Sequence, residues 1–125
     1  MTFVLVLYAE DAEVRLVDVD VDRRDVLLGL LDTDAFSTYN FPELGSQLLL
    51  DDHGLRKKKP VNLAATMLIY GSGRRPLYPF LGDVILLGLT VDGETSDPPE
   101  DLLYLFDPAT TATAEDVAQQ QEVAP

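Results

Sequence analysis

The chain has no cysteine and no tryptophan, and a single histidine among its 125 residues. Without cysteine there is no disulfide framework, no zinc–thiolate site and no thiol nucleophile, and a reducing compartment fits that lack. Basic side chains are scarce as well, nine against 22 acidic ones, and none follows Arg75. Long apolar runs are missing too. The longest after the N-terminal stretch, Val84 to Leu89, falls far short of the ~20 residues that span a bilayer. The largely apolar run Met1 to Tyr8 has no positive charge before it, and Glu10 and Asp11 end it before a signal-type region and cleavage site are complete. These absences lead to the expectation of a soluble, cytoplasmic protein with no membrane partner.

The few basic residues are concentrated. Arg56, Lys57, Lys58, Lys59, Arg74 and Arg75 fall in a stretch, 56–75, that contains no acidic residue and so carries +6. Residues 1–55 carry −9 and residues 76–125 carry −10, which brings the chain to −13. A cationic segment inside an anionic protein can steer an anionic ligand to one place, or leave the acidic faces to seek a basic partner. A GC-rich or halophilic coding background would yield a similar acidic surface with no particular target.

Apolar patterning outlines the elements. Phe3 to Tyr8 is apolar at nearly every position, as in a buried strand, and Val14 to Val19 alternates in part, so the two are expected to form a hairpin. Asp22 is placed to cap a helix whose Val26, Leu27, Leu30 and Leu31 share one face. Residues 35–41 are aromatic and β-favouring up to Pro42, and Gln47 to Leu50 gives a further strand. Asp51-Asp52-His53-Gly54 forms a turn in which Gly54 supplies a positive φ. Pro60 opens a helix over 61–70 that Gly71-Ser72-Gly73 ends. Asp83 to Val91 is a strand closed by Asp92-Gly93, and Asp97-Pro98-Pro99-Glu100 starts a helix whose Leu102, Leu103, Leu105 and Phe106 face the core.

The resulting order, β-β-α-β-β-α-β-α, specifies an α+β fold: a single small domain over residues 1–107, with a mainly antiparallel sheet and two or three packed helices. Residues 108–125 are acidic and Gln-rich with few large apolar groups, and are expected to be disordered or weakly helical. With the first strand at an edge, such a sheet could pair with a second copy as a homodimer.

Short motifs recur along residues 47–106: the turn Asp51-Asp52-His53-Gly54, the basic link Leu55 to Lys59, the helix opening Pro60-Val61-Asn62, and the strand Gly82-Asp83-Val84-Ile85-Leu86-Leu87-Gly88. In this order they resemble a family of small domains of unknown function found in phages, plasmids and other mobile elements. The chain departs from that pattern at Asp51, where the family has asparagine, and over residues 71–81, which are longer. The resemblance implies a mobile-element accessory protein and no particular reaction.

Three groups of residues could carry chemistry. Arg56, Lys57, Lys58, Lys59, Arg74 and Arg75 flank the 61–70 helix, and with its N-terminal amides they form a candidate anion site. Gly71-Ser72-Gly73 lacks the phosphate-loop pattern. Asp18, Asp20 and Asp22 would share a strand face, but a calcium loop starting at Asp18 would have Arg23 where glycine belongs and Gly29 where glutamate belongs. His53, beside Asp51 and Asp52, is a conceivable base, yet none of Ser37, Ser46, Ser72 and Ser96 sits in a nucleophile motif. No metal set or cofactor loop is present. We therefore expect a non-enzyme without a cofactor, a protein-interaction module for a host or phage protein with a basic surface, whose charge could imitate a polyanion. The alternative is binding of an anion, nucleotide or nucleic acid through residues 56–75.

Overall fold

The structure, a computed structural model, describes residues 2–10, 13–73, 79–106 and 111–113. Strands β1 (Thr2–Leu7) and β2 (Val14–Val19) form the first hairpin, with Thr2 opposite Val19 and Leu7 opposite Val14. Helix α1 (Arg24–Leu31) follows, then β3 (Phe36–Phe41), a 3-10 turn Pro42–Leu44, and β4 (Ser46–Asp51). After α2 (Leu63–Gly71) come β5 (Val84–Leu89), the two-residue β6 (Thr95–Ser96), α3 (Glu100–Phe106) and β7 (Thr111–Thr113).

These strands make one seven-stranded sheet in the order β3-β4-β5-β1-β2-β7, with β6 pairing on β5 beyond the end of β1. All pairings are antiparallel except that of β2 with β7. The α+β class and the element order match the apolar patterning, with two short strands added. β1 is not an edge strand. It lies between β5 and β2, so pairing with a second copy through its backbone is closed. β7 lies within the tail expected to lack order; residues 107–110 and 114–125 lie outside the described residues.

Helices cover both faces of the sheet. On one, Leu27, Leu30 and Leu31 of α1 pack on Val4, Val6, Val17, Val19, Leu49, Ile85 and Leu87. On the other, Ala65, Leu68 and Ile69 of α2 and Leu102 of α3 pack with Phe41 and Phe80 on Leu5, Leu7, Leu48, Val84 and Leu86. An antiparallel sheet with one wet face alternates apolar and polar residues. Here β1 and β5 are covered twice over, which is why both are nearly continuous apolar runs. Each fully buried Val or Leu contributes about 1.5–3 kcal/mol, so most of the driving force sits in these two strands and their neighbours.

Local signals misplace several ends. Asp22 does not cap α1. It lies in the preceding turn, where its N–H donates to Asp20 Oδ1 at 3.1 Å, and Arg23 takes the cap position with no side-chain cap bond. Asp97 does not cap α3 either: its Oδ1 accepts the Phe3 N–H at 2.9 Å across the sheet. Pro60 stands outside α2. Val61 first bridges to Leu81, and Asn62 is the cap.

Glycine is required at two places for reasons of space. A Cβ on Gly88 would lie 2.0 Å from the Asp97 carbonyl oxygen, because the chain leaving β6 passes close to Gly88 there. Gly54 does not take the positive φ expected of it; it is buried, and a Cβ would press on Leu81 at 3.3 Å. In that loop the left-handed residue is Lys58, with φ of 56°.

Candidate functional site

The basic link folds back on the carboxylate that ends β4. Asp51 has a side chain with 0% exposure, so burial alone would raise its pKa. The groups around it reverse that. Lys59 Nζ donates to Oδ2 at 2.6 Å, Thr33 Oγ1 to Oδ1 at 2.7 Å, the His53 N–H to Oδ1 at 2.8 Å, and Lys57 Nζ to Oδ2 at 3.3 Å. Together they hold the Asp51 carboxyl well below the usual carboxylate range.

The same two ammonium groups reach the C-terminal end of α1. Lys59 Nζ donates to the carbonyls of Leu31 and Asp32 at 2.9 and 3.2 Å, and Lys57 Nζ reaches the Asp32 carbonyl at 3.4 Å. α1 has no basic residue in its own last turn, so a loop from elsewhere in the chain provides the positive charge its dipole favours there.

One step along the chain, Asn62 joins three elements. It is fully buried. Its Nδ2 donates to the carbonyls of Leu7 at 2.8 Å and Gly82 at 3.0 Å, while its Oδ1 accepts the Ala65 N–H at 3.0 Å. The N-terminus of α2 is therefore capped from within. Gly82 fits between these groups with φ of 79°, and a Cβ there would meet Lys59 Cδ at 2.7 Å. Beside it, Asp83 Oδ1 accepts the Ala9 N–H at 3.0 Å. Tyr8, Glu10, Asp32, Lys59, Gly82 and Asp83 line a cleft of about 550 Å³ at this end of the sheet.

The anion-site candidates thus separate. Lys57 and Lys59 converge on Asp51, and α2's first amides are partly occupied by Asn62. Arg56 and Lys58 are exposed. Arg74 and Arg75 lie outside the described residues. The role of Asp51 as an organiser of the loop is absent from a reading of local charge, because its partners Thr33 and the end of α1 are distant in sequence.

The other candidates are also placed. His53 Nε2 lies 3.5 Å from Asp34 Oδ1. The hydroxyls of Ser46, Ser72 and Ser96 donate to the carbonyls of Leu44, Ile69 and Asp97. Among the described residues no three carboxylates or histidines cluster as a metal site would require, and Asp20 and Asp22 sit in the turn beyond β2 rather than on its face. Tyr39, Phe41 and Phe80 form a packed aromatic group, Tyr39 and Phe80 edge-to-face at 5.6 Å. Among the described residues no helix is long and apolar enough to cross a membrane.

A second concavity lies across the molecule's other helical layer. α2 and α3 leave a groove of about 920 Å³ between them, floored by Leu68 and Leu102 and walled by Met67, Leu105 and Phe106. Composition reveals exposed apolar residues there only once the buried faces of both helices are known.

No protein-family model, curated protein or solved structure matches the chain.

Proposed function

We propose that this protein is a non-enzymatic interaction module that binds a partner protein with a basic surface, acting in the cytoplasm as an accessory protein of a mobile element. The observation that carries the reading is the internal engagement of four of the seven cations among the described residues. Lys57 and Lys59 are held by Asp51 and the end of α1, Arg15 pairs with Glu13 at 2.7 Å, and Arg23 pairs with Asp25 at 2.9 Å. The surplus of acidic groups, −13 in all, then dominates the field a partner meets, and complementary charge raises both association rate and selectivity. The mobile-element assignment rests on the motif resemblance at residues 47–106.

Affinity capture from host lysate after nuclease treatment tests it. The expected result is a basic protein that stays bound without nucleic acid and is released by salt. If nothing is retained at low salt, the reading is wrong. The exposed Arg56 and Lys58 favour one alternative, an anion or nucleic-acid site on the loop. That alternative predicts co-eluting nucleic acid, lost when both are changed to glutamine.

A further inference from the structure

Among the helices of the described residues, α2 differs in composition from α1 and α3. A quarter of all residues are charged, yet α2 has no charged side chain, and Thr66 and the Tyr70 hydroxyl are its only polar side-chain groups. Ala65, Leu68 and Ile69 face the core, while Leu63 and Met67, one turn apart, are 63% and 67% exposed. A helix that is apolar all round is normally covered on all sides. Across the groove α3 repeats the pattern: Leu102 is buried, and Leu105 and Tyr104 are 63% and 88% exposed. Among the described residues the only charged one lining the groove is Asp101, with Glu100 beside it at the start of α3.

We infer that the groove between α2 and α3 is the docking site for an amphipathic helix of the partner, apolar on the face that meets Met67 and Leu105 and basic on the flank that meets Asp101. The inference rests on the interaction reading above and names its surface. Charge selects the occupant. A second copy would bring another −13 to the same face. The chain's own residues 107–125 carry four acidic and no basic side chains, and Val117 and Val123 are their only apolar groups beyond alanine and proline. Neither complements Asp101 and Glu100. A helix with lysine or arginine along one edge does, and a helix laid into an apolar groove is an established mode of peptide recognition.

The test uses the full chain and synthetic peptides of about 18 residues, five helical turns. One has leucine on one helical face and lysine on the other, one is a scrambled order of the same composition, and one has glutamate for lysine. Affinity is read by fluorescence anisotropy at low salt and location by backbone amide NMR shifts. The expected result is that the Leu/Lys peptide binds with shifts gathered on α2 and α3. The scrambled and glutamate peptides should bind about tenfold weaker or less well still, a difference of about 1.4 kcal/mol. Met67→Glu and Leu105→Glu, at exposed positions that leave the core intact, should each lower affinity about tenfold, and Asp22→Asn, in the exposed turn before α1, the helix on the sheet's opposite face, should not.

Equal binding of the scrambled peptide, or shifts spread over the acidic surface, overturns the groove while leaving the interaction reading in place. Equal binding of the glutamate peptide overturns the basic occupant. A dimer that sedimentation detects in the unmodified chain and Met67→Glu dissolves makes a second copy the occupant. No binding of either lysine peptide overturns this inference, and the reading beneath it falls only if the lysate capture also retains nothing.

Discussion

A single carboxylate organises the loop that the sequence presents as a plain basic run. Asp51 is closed off from water and takes four donors, two of them from Lys57 and Lys59. Its pKa in the folded protein is lowered, so its contribution to stability is full above the unfolded value near 4 and is lost as pH falls below it. Removing one partner of such a buried pair costs about 3 kcal/mol or more. Asp51→Asn should therefore be markedly less stable than the natural chain in urea at pH 7. The gap should narrow as pH drops from about 4 towards 2, because Asp51 of the unfolded chain takes up a proton there while the folded protein still holds it ionised. A gap that stays constant over that range would show that the carboxylate's charge is not what matters. Nothing near Asp51 in the sequence announces this role. The asparagine-like turn position was legible, but its partners are brought there by the return of the chain past the end of α1.

At the scale of elements, glycines separate local preference from tertiary contact. Gly29 is exposed in the middle of α1 and a Cβ there would touch nothing within 4 Å, so Gly29→Ala should stabilise the fold by about 1 kcal/mol. Gly88→Ala should do the opposite and cost several times as much, because β6 must move off β5 to make room. Thermal melts of the two variants give the signs, and a stable Gly88→Ala would mean that β6 does not lie where described. The same division explains what the sequence revealed. β1, β5 and the buried side of α1 were legible because continuous apolar runs and a helical stripe are local signals. Helix starts were not, because Asp97 is drawn away by the Phe3 amide and Pro60 by the Val61–Leu81 bridge. The two- and three-residue strands β6 and β7 are too short to leave a pattern.

For the whole molecule, charge opposes compactness. With −13 spread over 125 residues, self-repulsion destabilises the folded state, and salt screens it over a length that shrinks from about 10 Å at 0.1 M to about 3 Å at 1 M. The melting temperature at pH 7 should therefore rise by about 5 °C between low and high sodium chloride, a shift worth of the order of 1 kcal/mol or more. A fall instead would mean that the internal pairs at Asp51, Glu13 and Asp25 outweigh the repulsion. The two-sided burial of β1 and β5 was implicit in their composition, whereas the partitioning of cations between Asp51 and the surface required the three-dimensional path.

The placing of β5 has a further effect, on the order in which the molecule can be completed. β1–β2 and β3–β4 are each hairpins of neighbouring segments, but among the described residues no strand pairing joins one to the other; β5 lies between them, paired to β4 on one side and to β1 on the other. Contacts of such long sequence separation form late. During synthesis, a nascent chain that ends before Val84 holds two hairpins that share no sheet. The edges of β1 and β4 then wait unpaired for the strand that has not yet been translated.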